Sequence, residues 1–215
     1  MFIFNGKSSD SMGVVLNDEL IFPKSAINHE SVEIDGMDGS IMTPLNRKNI
    51  EMTVKATLLR KNNFDNVKAW LDGEGIFEYE GRYRKAYIFS DIDFERHGPF
   101  KYQFEITFIF EPYWHRKDAY MQVTDTVLNA GNVESKPLIK LVGTGTVDLT
   151  VNDVRFAVTF DSDGEIEIDC EKMEETKPKC IYIGFEYPTL HPGVNSITFH
   201  SGKAKVFIKK KDRWI

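Results

Sequence analysis

The side chains that could do chemistry in this 215-residue sequence are scattered rather than gathered. Five histidines, His29, His97, His115, His191 and His200, lie apart, and no two have the spacing that brings imidazoles to one metal. Asp161, Asp163 and Glu165 alternate around Gly164 and invite a calcium reading. An EF-hand loop needs its glycine after three acidic or amide positions and a glutamate further on; here Ile166-Glu167-Ile168 runs on as a strand. The expectation is a solvated hairpin turn. Glu78 and Glu80 are expected on one face of a strand, where they form a polar outer surface and not by themselves a glycosidase pair. No Gly-rich phosphate loop, nucleophile elbow or HExxH occurs. Cys170 and Cys180 lack CxxC spacing; they could pair across a loop, and a reducing cytoplasm favours free thiols. The sequence reads as a non-enzyme with no catalytic residues, cofactor or metal.

The elements around these side chains are mostly strands. In Tyr102–Phe110, Tyr102, Phe104, Ile106, Phe108 and Phe110 alternate with Gln103, Glu105, Thr107 and Ile109, the period of a strand with one face on a core. Pro112 ends it, since its nitrogen cannot donate to a ladder. Ile50, Met52, Val54, Ala56 and Leu58 give a second such strand. The one helix places Phe64, Val67, Trp70 and Leu71 on a stripe, with Asn62 or Asn63 as its cap and Gly73 beyond its end. Strands over residues 76–79 and 86–92 follow, joined near Gly81. In the second half, strands are expected over 120–127 and 137–142, the latter punctuated by Gly143-Thr144-Gly145. A hairpin closes at Asn152-Asp153, further strands cover 166–168, 195–199 and 204–208, and 170–180 is a charged loop. Turn signals at short intervals with almost no helical periodicity predict a mainly β protein. It divides into an N-terminal β-sandwich with one short helix (1–112), a connector (113–119) and a second sandwich (120–215).

Composition narrows the class. An aromatic fraction of 13% and a charged fraction of 28% describe an ordinary globular chain, and a formal charge of −6 speaks against nonspecific nucleic-acid binding. Lys209-Lys210-Lys211 with Arg213 reads as a solvated strand end. Met1-Phe2-Ile3-Phe4 runs at once into Asn5-Gly6-Lys7, so no secretory leader is expected, and no apolar run is long enough for membrane insertion.

Two groups of residues point to contacts. Residues 35–44, opened by Asp35-Gly36-Met37-Asp38-Gly39, are expected to be an exposed loop. Met37, Ile41 and Met42, with Asp38 among them, give it an unusual apolar content, expected either as an inter-subunit or partner surface or as burial within its own domain. Tyr113, Trp114 and Tyr120 flank the connector and are expected to pack one domain on the other.

Taken in order, several signatures resemble the distal tail protein (Dit) family of siphophages and prophages of Gram-positive bacteria. They are the 35–39 turn cluster, the strand from Ile50, the single helix and Phe108-Ile109-Phe110-Glu111-Pro112-Tyr113-Trp114. In the second half they are Asn129-Ala130-Gly131-Asn132-Val133-Glu134-Ser135-Lys136-Pro137, Gly143-Thr144-Gly145 before the Asn152 hairpin, and Ile168-Asp169-Cys170-Glu171. Tyr187-Pro188-Thr189-Leu190-His191-Pro192-Gly193-Val194-Asn195 and Trp214 complete the set. The resemblance implies a virion structural protein: an N-terminal belt domain closing into a hexameric ring around the tail channel, and a C-terminal galectin-like β-sandwich. The implied partners are further copies of itself, the tail tube protein above and a tail-associated tip or fibre protein below. Nucleic-acid contact is limited to DNA passing through the channel. The implied place is the virion tail tip, after assembly in the host cytoplasm. The alternative is a carbohydrate-binding module for the host surface, which needs an exposed aromatic such as Trp114 or Trp214 beside polar side chains.

Overall fold

The computed structural model describes residues 1–59, 64–99, 101–175, 180–184 and 186–215, with 161–163, 180 and 181 described by backbone alone. The chain forms two compact units, Met1–Trp114 together with the terminal Ile215, and His115–Trp214.

The first unit begins with β1 (Ile3–Phe4) and β2 (Lys7–Ser8). Asn5 and Gly6 join them at φ 49° and 75°, the paired positive angles that suit the twist of a tight hairpin. Next come β3 (Val14–Leu16), β4 (Ile27–Glu33), β5 (Ser40–Arg47), β6 (Ile50–Leu58), α1 (Phe64–Trp70), β7 (Gly73–Tyr79), β8 (Arg82–Ile88), β9 (Glu95–Arg96) and β10 (Tyr102–Phe110). The main sheet runs β2-β1-β7-β8-β10-β6-β3, with β9 on β10. Its centre is the unbroken β6–β10 register from Phe110↔Ile50 to Tyr102↔Leu58. The alternation in β10 is that of a strand with one face on the core, for Phe104, Ile106, Phe108 and Phe110 are all buried. Phe2 stacks between Trp70 at 5.5 Å and Phe77 at 5.4 Å, with Phe108 edge-on.

The helix is shorter than its stripe suggests, and buries Val67 and Trp70. Seven residues cannot hold a helix in water, so its stability comes from this packing. The Trp70 indole N–H donates to the Phe4 carbonyl at 2.7 Å, which lets the ring be buried at little cost. Gly73, at φ 77°, turns the chain into β7. The expected caps Asn62 and Asn63 lie outside the described residues. Strand β8 starts and stops earlier than the sequence suggests. Glu80 and Gly81, at φ 48° and 74°, form the β7–β8 turn, so Glu80 has left the strand that carries Glu78.

In the chain, β11 (Trp114–His115) leads to the second unit. There follow β12 (Met121–Val123), β13 (Thr126–Asn129), β14 (Leu138–Val151), β15 (Val154–Asp169), β16 (Glu174–Glu175), β17 (Cys180–Ile183), β18 (Gly193–Ser201), β19 (Ala204–Lys209) and β20 (Arg213–Trp214). The order is β12-β19-β14-β15-β16, with β17 on β15, β18 on β14 and β13 on β18. The single strand expected over 120–127 is two, parted at Thr124-Asp125. A larger correction concerns residues 143–145 and 161–165, read as a break and a turn. Both lie inside strands. Gly143 pairs with Gly164 and Gly145 with Phe160, so Thr144 stands against residues 161–163. This is a bulge, with Gly145 at φ 67°. Glycines and short polar residues allow a bulge for the same reason that they allow a turn, and the bulge bends β14 and β15 together without ending either.

Candidate functional site

Strands β4 and β5 pair with each other and with no other strand among the described residues. They form an arm. Its tip is closed by Gly36 and Gly39 at φ 83° and 86°, with Met37 N donating to the Ile34 carbonyl at 3.0 Å. Against the expectation of a loop over 35–44, Ser40–Arg47 is a strand. Pro44 is tolerated because a two-stranded arm has an unpaired outer edge, and it sits opposite His29 beside a register shift. There Leu45 and Asn46 stand against Asn28, whose Nδ2 donates to Asn46 Oδ1 at 2.9 Å. At the root, Lys48 N donates to the Ala26 carbonyl at 2.8 Å, and Ser25 Oγ donates to the Lys48 carbonyl at 2.5 Å.

Nearly every residue of the arm faces solvent, apolar ones included. Val32 and Ile41 are direct cross-strand partners, 54% and 46% exposed. Met42 on the opposite face, Ile34 and Met37 at the tip, and Leu45 at the register shift are about as open. Asp38 is exposed between Met37 and the strand. The four residues singled out in the sequence thus fall on one element, Met37 and Asp38 in its turn, Ile41 and Met42 on its two faces. Periodicity missed Val32, Ile34 and Leu45, although their neighbourhood to the Asp/Gly turn signals was available.

The aromatic trio is placed unit by unit. Trp114 is buried in the first unit, edge-on to Phe22 at 4.9 Å and 4.0 Å from the Arg84 guanidinium. Tyr113 is partly buried. Tyr120, in the second unit, is exposed and donates its hydroxyl to Glu167; burial of the phenol oxygen and then this bond push its pKa up.

Scattered motifs of the second unit meet at one set of loops. Asn195 is buried, and its Nδ2 reaches the carbonyls of His191 and Gly193, each at 2.9 Å, and of Val127 at 3.3 Å. Its Oδ1 accepts from His191 N at 2.7 Å and Asn152 Nδ2 at 2.8 Å. Asn129, also buried, donates to the carbonyls of Leu190 and Val133. These amides tie loops; they face no open site. The basic run at 209–213 is likewise not solvated. Lys210 pairs with Asp212 at 3.0 Å, Lys211 with Asp169 at 3.5 Å, and Arg213 with Glu171. Burial pushes the Asp169 carboxyl up, but the backbone N–H groups of Lys172 and Glu171, with Lys211, outweigh it and hold it below its usual range. On the outer strand face Arg155 holds Asp148 through two bonds at 2.6 and 3.0 Å, and His200 Nε2 lies 2.7 Å from Thr150 Oγ1. Cys170 is a buried free thiol that burial pushes up to about 12.

No group of three or more metal-ligating side chains gathers among the described residues. A groove of about 350 Å³ in the first unit is lined by Lys55, Asp91, Asp93, Glu95 and Glu105, a charged surface without a nucleophile–base pair. No helix is long and apolar enough to cross a membrane among the described residues.

The sequence matches no protein-family model and no curated protein. The fold does have solved counterparts. The crystal structure of the Dit protein of phage SPP1, described as a paradigm of the hub adsorption apparatus in phages infecting Gram-positive bacteria, superposes with a TM-score of 0.73. Identity is 14%, and 97% of each chain is covered. A chain of the phage P2 baseplate, in its activated conformation with Ca, gives a TM-score of 0.43 at 10% identity over 87% of each chain. Along nearly its whole length, the protein has the fold of the SPP1 Dit protein.

Proposed function

We propose that the protein is a structural component of a phage tail tip, a Dit-like hub and not an enzyme. In this reading the first unit closes into a hexameric ring around the tail channel, joining the tail tube protein on one side to a tip or fibre protein on the other. DNA passes through the ring without specific contact, and the protein reaches the virion after assembly in the host cytoplasm. The observation that carries the reading is a whole-chain likeness to a protein described as a hub, 97% of each chain at TM-score 0.73. The arm supports it. A closed ring needs a heterologous contact, one patch against a different patch on the next copy. An apolar two-stranded element that its own unit leaves uncovered is a natural first patch.

Carbohydrate binding is the weaker reading. Trp114 and Trp214, the ring faces it would need, are only 8% and 9% exposed.

Charge placed on the arm tests the contact. Met37→Asp with Ile41→Asp abolishes the ring, seen as a fall to monomer mass in tail-tip assemblies. It leaves the melt within about 0.5 kcal/mol, because exposed positions contribute little to a monomer. A large loss of monomer stability would assign the arm to its own unit's core instead.

A further inference from the structure

The arm can be aimed only from its root, and the root holds an unusual group. Between β3 and β4 the chain has no regular structure, yet it dips inward. Leu20 and Ser25 are buried, while Ile21 between them is 77% exposed. Phe22 reaches from this segment into a box of rings, 4.9 Å from Trp114, 5.6 Å from Tyr79, 5.8 Å from Phe110 and 6.2 Å from Phe77.

At the bottom of the box lies Arg84, 1% exposed. Its guanidinium carbon is 4.0 Å from the Phe110 and Trp114 rings and 4.7 Å from that of Phe22. Its Nε and Nη2 have no hydrogen-bond partner among the described residues. Burial pulls its pKa down to about 9, which leaves it charged at neutral pH. A buried cation without a carboxylate is costly, and the ring faces are what offsets that cost. Phe22 is the one ring of the three supplied by the arm's root; Phe110 and Trp114 come from β10 and β11.

We propose that Phe22 and Arg84 are positioning residues that latch the arm: the charge holds the Phe22 ring, and the ring fixes the direction in which β4 and β5 leave the sheet. Arg47 completes the root, its Nη1 donating to the Ser25 carbonyl at 3.0 Å. The lever makes the latch matter. A strand of eight residues is roughly 25 Å long, so a swing of about 20° at the root moves the tip by about 9 Å, more than two residues of register. An arm fixed before docking also spares the ordering cost that a swinging one would bear on association. The functional part rests on the reading that the arm docks on a neighbouring copy; the latch itself does not.

The test is a distance distribution between spin labels at Asp38→Cys, on the tip, and Glu51→Cys, on the exposed side of β6, in the full chain with Cys170→Ser and Cys180→Ser. The parent gives one narrow peak. Phe22→Tyr keeps a ring over the charge and keeps the peak narrow. Phe22→Leu removes the ring and some volume, and broadens the distribution at least twofold; Arg84→Met removes the charge, keeps Phe22, and does the same. A core filler would respond to Phe22→Leu but not to Arg84→Met, so an unchanged peak in either variant overturns the latch. If Arg84→Met does not fold, Arg84→Gln, planar and polar but uncharged, decides in its place. Broadening in Phe22→Leu, combined with assembly that survives Met37→Asp and Ile41→Asp, keeps the latch and removes the docking reading.

Discussion

The two units solve the same folding problem with different materials. The first has an aromatic core, with Phe2, Phe4, Phe77, Phe108, Phe110, Trp70 and Trp114 buried, and it leaves one apolar arm uncovered. The second has an aliphatic core from Val123 to Ile208, and it ties its loops inward with buried amides and ion pairs. Apolar surface left uncovered costs solubility, and chains tend to keep it where a partner will cover it. A buried amide that satisfies several carbonyls makes a loop rigid but adds nothing for a partner to hold. On the proposed reading, the contrast places assembly in the first unit and self-contained rigidity in the second.

The sharpest break in that contrast comes from the amides. Asn195→Ala removes a buried amide that bonds the carbonyls of Val127, His191 and Gly193, at a cost on the order of 3 kcal/mol. For a domain of ~100 residues this lowers the melting temperature by roughly 12–24 °C. Asn46→Ala removes an amide hydrogen bond on the exposed arm and changes stability by less than about 0.5 kcal/mol. Calorimetry reads both. Equal effects would erase the distinction between a tied loop and an untied arm.

The buried titratable groups of the two units respond to high pH with opposite signs. Burial raises the Cys170 thiol from 9 to about 12, so above pH 9 the unfolded chain loses a proton that the fold keeps, and stability falls as pH rises. The loss reaches about 2 kcal/mol by a pH of about 10.5. Tyr120 and Tyr182, both raised chiefly by burial, act in the same direction. Arg84 does the reverse. Its folded pKa is lowered to about 9, so above that pH the unfolded chain holds the extra proton and the first unit gains. We also expect residues 120–215 to fold alone, which gives two transitions to follow. The second-unit transition drops between pH 8 and 10.5, more than the first, and Cys170→Ala flattens that drop; parallel shifts would contradict the assignment.

What the sequence revealed follows the same division. The one-sided burial of β6 and β10 writes itself into the chain as alternation, and both strands were legible to the residue. The arm was half legible. Its Asp/Gly turn signals gave the tip, but Ile27–Glu33 and Ser40–Arg47 are open on both faces, so no buried face imposes a period of two. The bulge at 143–145 gave the right residues and the wrong structure, since glycine marks turns and bulges alike. The box around Arg84 was invisible, because Phe22, Arg84, Phe110 and Trp114 meet only in the fold. The loop-tying amides stand in legible motifs, but nothing in their spacing brings Asn152 to Asn195.

The smallest effect expected is none. Titrating the full chain with galactosides or cell-wall glycans gives no saturable response, since Trp214 is buried and the Asp148–Arg155 and Thr150–His200 pairs already satisfy one another. A micromolar response lost in Trp214→Ala would move host recognition into the second unit.

The central claim is a ring built by the first unit, and electron cryomicroscopy of intact phage particles tests it most directly. The account predicts a closed ring of six copies at the tail tip, first units innermost, with each β4–β5 arm lying on the neighbouring copy. Particles whose tail tip holds no ring of this protein would contradict it.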